Sequence, residues 1–132
     1  MTNKDNLDFS FSGLKTAVYY SIKDTKDISR VVKANIAASF QDAVADTLLI
    51  KTKKALEETN QNELVIGGGV ASNKYIRNKL VEGLKDSTIY FPPLERCTDN
   101  GAMVAFAGSF YLRNNNQSQN DQVRPKWPLS EL

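Results

Sequence analysis

The residues with the clearest chemical potential lie in two short segments rich in glycine and small side chains. The first, ELVIGGGVASNKYIR, runs from Glu63 to Arg77 and places three glycines directly after an apolar run. The second, ERCTDNGAM, carries Asp99 just before a series of small residues. Glycines after a strand let a ligand approach the main chain, and a carboxylate is a hard oxygen ligand for metal ions. Anion binding and metal ligation are therefore the candidate chemistries.

The composition removes several other chemistries. The chain has no histidine, so it contains neither a Ser/His or Cys/His nucleophile pair nor an H-E-x-x-H or His-x-x-x-His metal motif. Its single cysteine, Cys97, forms no internal disulfide, which fits a reducing compartment. We interpret Cys97 as a small buried hydrophobe rather than a zinc ligand, because no second cysteine accompanies it. Metal chemistry in this chain is carboxylate chemistry or is incomplete.

Charge and hydropathy indicate a cytoplasmic protein without a membrane segment. Seventeen basic and 15 acidic residues give a net charge of +2, spread along the chain without a Lys/Arg block. That balance is too mild to argue for nucleic acid by itself. No run approaches the roughly 18 apolar residues of a membrane span, and no signal peptide is present.

Gly67 to Gly69 have two interpretations. They form either a tight turn where a helix packs on a strand, or a loop that presents backbone N–H groups to a phosphate. The dinucleotide fingerprint matches poorly, since Ser72 occupies its last glycine position and the next strand, TIYF, ends without an acidic residue. A phosphate-loop lysine is missing as well, because Lys74 does not follow a glycine.

Asn73 and Asp99 each have a structural and a functional interpretation. Both stand at the start of a predicted helix, where a short polar side chain caps unpaired backbone N–H groups. Asn73 could equally contact a ligand bound by the glycines, and Asp99 could supply one oxygen to a metal.

Hydrophobic periodicity predicts how these segments are positioned. Phe9 and Phe11 alternate with serines, which predicts a short strand, and Ser12 is a candidate N-cap for the helix that follows. Apolar residues four apart then predict one long amphipathic helix, or two with a bend, before residue 60. The remaining predictions are a strand at Leu64–Ile66, a helix at Asn73–Leu84, a strand at Thr88–Phe91 and a small-residue helix in NGAMVAFAGSFYLR.

Strands that alternate with helices indicate an α/β fold with short parallel strands and long helices. Two or three strands are too few to cover such helices, so the chain is expected to form part of a larger domain. An open strand edge and an uncovered apolar patch lead us to expect self-association. We place this domain portion at residues 1–113 and a polar linker with an extended Pro/Trp tail at residues 114–132.

Four segments in order, DFSFSGLKTAV, GGGVASNKYIR, CTDNGAMVAFAG and VRPKWPLSEL, closely resemble the C-terminal part of the bacterial tRNA threonylcarbamoyladenosine biosynthesis transferases. This is the TsaD/Gcp family, formerly called O-sialoglycoprotein endopeptidase. The resemblance runs nearly end to end. It implies a partial ribonuclease-H-like domain of the actin, sugar-kinase and heat-shock ATPase superfamily.

The resemblance also implies an activity and a site. The family moves a threonylcarbamoyl group from threonylcarbamoyl-adenylate to an adenosine next to the anticodon of tRNA, together with partner proteins. Carried onto this sequence, Gly68 and Gly69 approach the adenylate, Asn73 contacts it, and Asp99 binds one iron or zinc ion.

The sequence departs from the family in one large respect. The family's N-terminal half, with its His-x-x-x-His metal pair and first glycine loop, is absent, so we expect a fragment that holds half a site, binds no metal and is inactive alone. Two alternatives to the transferase remain open. One is a metal-dependent glycoprotease, the older family label, and the other is a non-catalytic nucleotide-binding or interaction module.

Overall fold

A computed structural model of the chain describes residues 6–26 and 28–114. Within these residues, four helices and two strands form the regular structure, and two short 3-10 turns lie in the loops that follow the strands. The elements are α1 (Ser12–Lys23), α2 (Arg30–Thr59), β1 (Glu63–Val65), α3 (Lys74–Gly83), β2 (Thr88–Tyr90) and α4 (Gly101–Arg113), with the 3-10 turns at Gly69–Ser72 and Leu94–Arg96.

The two strands form a parallel sheet. Leu64 of β1 lies opposite Ile89 of β2, and Glu63 pairs with Thr88 in the same register. A parallel pair needs a crossover, which α3 supplies. The prediction of an α/β fold with short parallel strands and long helices is therefore confirmed at this level.

The predicted strand at Phe9 and Phe11 is wrong. Residues 6–11 belong to no strand, although the two phenyl rings stack with centroids 6.3 Å apart. Phe9 is half exposed. An alternating pattern becomes a strand only where another strand offers backbone hydrogen bonds, and β1 pairs only with β2 within the described residues.

Helix α2 is a single, uninterrupted helix of 30 residues. It begins after Ser29, whose hydroxyl oxygen accepts a hydrogen bond from the Val32 amide at 3.3 Å. It ends at Asn60, which adopts the left-handed conformation with φ of 51°. Asparagine tolerates that conformation better than most residues, so it is a suitable helix terminator.

The core lies where α2 packs on α3 and on the inner face of the sheet. Ala45 of α2 is fully buried and contacts Ile76, Leu80 and Leu84 in and after α3. Partly buried aliphatic residues from α2 and both strands surround this cluster, namely Val44, Leu48, Leu49, Leu56, Leu64, Ile66 and Ile89. The missing side-chain bulk at Ala45 lets the two helices approach closely.

A polar network joins the same two helices at the solvent-facing side. The Lys79 ammonium pairs with the carboxylates of Asp42 and Asp46, the latter at 2.8 Å. The Tyr75 hydroxyl donates to Asp42 Oδ1 at 2.6 Å. Hydrogen bonds from Lys79 and then from Tyr75 hold the pKa of the Asp42 carboxyl below its usual value.

The chain divides into two compact units, with the boundary between Thr98 and Asp99. The sheet and α1 to α3 belong to the first unit, and α4 belongs to the second. The predicted boundary at residue 113 and the linker and tail at 114–132 stay predictions, because all of that segment except Asn114 lies outside the described residues. None of the helices in the described part of the chain combines the length and apolar character that a membrane span needs.

The Asp42 network predicts a pH dependence of stability. Folding lowers the pKa of Asp42, so the ionised carboxylate contributes to the stability of the fold. This contribution is complete above the pKa of the unfolded chain, about 4, and is lost as the pH falls through the pKa of the folded state. We expect Asp42→Asn to lose less stability than the unsubstituted chain between about pH 6 and about pH 3. Urea unfolding midpoints at the two pH values measure this difference.

Asp86→Asn is the matched control, since Asp86 is an exposed carboxylate in the turn before β2. It should follow the pH dependence of the unsubstituted chain. Identical pH dependence in the Asp42 and Asp86 variants would contradict the role of the network.

Candidate functional site

Two loops leave the sheet at the same edge. Because β1 and β2 are parallel, the glycine loop after Val65 and the loop after Tyr90 both start at the carboxyl ends of their strands. Their 3-10 turns contact each other. Ligands of open parallel sheets bind outside the carboxyl ends of the strands, so this edge is the place to look for a site.

The three glycines differ in backbone conformation. Gly68 has φ of 86° and ψ of 170°, a conformation that is essentially restricted to glycine. Gly67 and Gly69 do not have a positive φ. Of the three, Gly68 alone therefore uses the conformational freedom of glycine.

Packing against the described residues does not account for the missing side chains at these glycines. A Cβ atom placed on Gly67 or Gly68 would have no atom within 4 Å, and one on Gly69 would meet only Thr98 Cγ2, at 3.9 Å. All three glycines are exposed. The interpretation as a tight turn forced by close helix packing is not supported at Gly67 or Gly69, where side chains would fit.

Asn73 caps α3. Its Oδ1 accepts hydrogen bonds from the backbone N–H groups of Tyr75 at 2.9 Å and Ile76 at 3.2 Å, which confirms the capping prediction. Its Nδ2 donates to Gln41 Oε1 on α2 at 3.2 Å. Gln41 thus holds the Asn73 amide in the orientation that caps the helix. Sequence reasoning missed Gln41, because nothing in the local pattern links residues 32 positions apart.

Arg77 is the second residue that sequence reasoning missed. From the first turns of α3 its Nε donates to the Ala71 carbonyl, and one Nη donates to the Pro92 carbonyl at 2.7 Å. The guanidinium carbon lies 4.7 Å from the centroid of the Phe91 ring. One side chain therefore bonds to both loops at the carboxyl edge of the sheet.

Cys97 is buried, as predicted. Its exposed fraction is 4%, and its Sγ lies 3.1 Å from an Arg77 Nη and 3.5 Å from the Pro93 carbonyl oxygen. The thiol therefore fills space beneath the loop that follows β2.

Asp99 is exposed at the start of the second unit and does not cap α4. The N-cap is Asn100, whose Oδ1 accepts from the Met103 N–H at 2.9 Å. The capping interpretation of Asp99 is wrong by one residue, because the helix starts at Gly101.

The described residues do not collect a metal-binding set. Within 6–26 and 28–114, no three or more His, Cys, Asp or Glu side chains are grouped as ligands. Tight transition-metal sites need three or four protein ligands. The described residues therefore do not form a complete metal site by themselves.

Comparison with known families identifies the relationship. The model of the tRNA N6-adenosine threonylcarbamoyltransferase family, TsaD, matches residues 1–106 of the 132. The chain belongs to this family. The matched segment includes the glycine loop, Asn73, Arg77 and Asp99. The resemblance seen in the sequence is confirmed, and TsaD membership places the chain among transferases of tRNA modification.

The geometry of the TsaD glycine loop predicts that two neighbouring glycines respond differently to substitution. Gly68→Ala should lower the free energy of unfolding by about 1–3 kcal/mol, because alanine is strained at this φ and ψ. Gly67→Ala should stay within about 0.5 kcal/mol, because its Cβ would enter open space without strain. Urea unfolding of both variants measures the difference, and equal losses would refute the backbone assignment.

Proposed function

We propose that this chain supplies the adenylate-binding surface of a threonylcarbamoyltransferase. The intact enzyme would transfer the threonylcarbamoyl group from threonylcarbamoyl-adenylate to the adenosine next to the anticodon of tRNA. The observation that carries the proposal is the exposed pair Gly67 and Gly69, where the described residues leave room for side chains and the backbone has no positive φ. A ligand that must approach the main chain accounts for their absence.

The surroundings of the loop suit a phosphate. The loop leads from the carboxyl end of β1 to the N-terminus of α3, where backbone N–H groups and the helix dipole favour negative charge. The adenylate of the substrate carries such a phosphate. In this arrangement Gly68 and Gly69 lie against the adenylate.

Asn73 would combine two roles. Its Oδ1 is engaged in capping α3, and its Nδ2 is directed at Gln41. A contact with the adenylate would use the remaining hydrogen-bonding capacity of the amide group. Capping fixes the side chain next to the loop, so the same geometry serves binding.

The fold and the older family label both bear on this assignment. The parallel pair with its crossover helix fits one part of a ribonuclease-H-like domain. In this superfamily, two such domains close on a nucleotide. The family match names a transferase, and the chain itself carries no H-E-x-x-H protease motif. Both considerations favour transfer over proteolysis.

The metal of the intact enzyme would be an iron or zinc ion, to which Asp99 gives one oxygen. The exposed position of Asp99 leaves its carboxylate available, since Asn100 performs the capping. The other ligands would come from the family's histidine pair. The expectations that the chain alone is inactive and self-associates stay predictions.

Gly69→Ala tests the proposed function, because it adds one methyl group where the adenylate would lie and causes no backbone strain. The experiment uses a form of the protein that also carries the family's histidine-bearing half. We expect the affinity for a stable threonylcarbamoyl-adenylate analogue to fall about tenfold, which corresponds to ~1.4 kcal/mol. Isothermal titration calorimetry measures the affinity.

Gly108→Ala in α4 is the control, since its added Cβ meets open space. It should bind the analogue as the unsubstituted protein does, and neither variant should lower the melting temperature, since alanine is favoured over glycine inside a helix. Undiminished binding by a folded Gly69→Ala protein would count against the adenylate site.

Asp99→Asn tests the metal assignment in the same form of the protein. The amide keeps the size of the side chain but is a weaker ligand, so metal occupancy and transfer activity should fall together while the fold persists. Elemental analysis and a tRNA modification assay provide the two measurements. Glu95→Gln, an exposed carboxyl change in the preceding loop, should alter neither. Full metal occupancy in Asp99→Asn would remove Asp99 from the ligand set.

A further inference from the structure

A single guanidinium connects the two loops at the carboxyl edge of the sheet. Arg77 donates to the Ala71 carbonyl in the turn that follows the glycines, and to the Pro92 carbonyl in the loop after β2. The same Nη lies 3.1 Å from Cys97 Sγ, and the guanidinium covers the Phe91 ring. One side chain of α3 therefore bonds to the backbone of both loops.

The geometry requires arginine rather than any cation. Two donors pointing in different directions reach two carbonyls, while the flat guanidinium stacks on an aromatic ring. A lysine ammonium is a point charge and cannot satisfy this fork and stack together. Hydrogen bonds from a charged donor to carbonyls are also among the stronger ones in proteins.

We propose that Arg77 is a positioning residue for the adenylate site. It acts through the Ala71 and Pro92 carbonyls to set the glycine loop against the loop after β2, and it does not itself touch the ligand. The inference rests on the proposed function for its consequence in binding. The loop restraint itself is a property of the chain alone.

Arg77→Lys tests the loop restraint and its effect on adenylate binding separately. In the chain itself, we expect the amides of Ala71 and Asn73, which are bonded within the loop, to exchange hydrogen about tenfold faster. The amide of Leu84, bonded to the Leu80 carbonyl in the core, should keep its rate. A purely structural role would speed up all three.

The binding arm uses the form that also carries the histidine-bearing half. There Arg77→Lys should weaken the adenylate analogue about tenfold at a temperature where the protein stays folded, without changing tRNA affinity. Arg30→Lys, the same change at an exposed residue in the first turn of α2, is the control and should alter neither exchange nor binding.

The exchange and binding results with Arg77→Lys support or overturn the proposal. Loop exchange unchanged in Arg77→Lys, or faster loop exchange with unchanged adenylate affinity, overturns the proposal. If Arg77→Lys fails to fold, Phe91→Leu removes the ring beneath the guanidinium and leaves both carbonyls, so it should loosen the same loop to a smaller degree. Unchanged exchange in Phe91→Leu would then overturn it. If the unsubstituted protein does not bind the analogue, the proposed function fails, and the exchange result alone decides the restraint.

Discussion

The packing of α3 against α2 is the contact on which the candidate site depends. Ala45 brings the helices close enough for Ile76 and Leu80 to fill the space between them. Asn73 and Arg77 lie at the start of the same helix, so the position of α3 fixes the capping amide and the guanidinium together. A shift of α3 would move both groups relative to the strand ends. The site is therefore only as well defined as this helix pair.

Local patterns predicted the elements of this fold but not all of their partners. Residues with helical spacing became helices, and the apolar runs before the glycines and prolines became β1 and β2. The alternation at Phe9 and Phe11 failed, because a strand depends on a neighbour that the pattern does not contain. Ser12 and Asp99 failed as caps for a smaller reason. Each is one residue away from the observed cap position, because hydrophobic periodicity predicts that a helix exists better than it predicts the residue at which the helix begins.

The sequence likewise predicted some residues of the candidate site and missed others. The glycine loop and the Asn73 cap were predictable, because turn and cap chemistry is written in adjacent residues. Gln41 and Arg77 were not, since each acts on groups that come near only after the chain has folded. In the sequence, Arg77 is an ordinary helical cation. Its role depends on two backbone carbonyls, which residues of any type could present, and on the aromatic ring of Phe91.

The conformation of Gly68 has a consequence for how related sequences should be interpreted. Its backbone requires glycine whether or not a ligand is bound, whereas the backbone places no such demand on Gly67 or Gly69. In a lineage that had lost the activity but kept the fold, selection would preserve the middle glycine and release the outer two. Glycine at position 68 therefore reports the shape of the turn. Under the proposed function, glycine at 67 and 69 is the part of the triplet that would keep the surface open for a ligand.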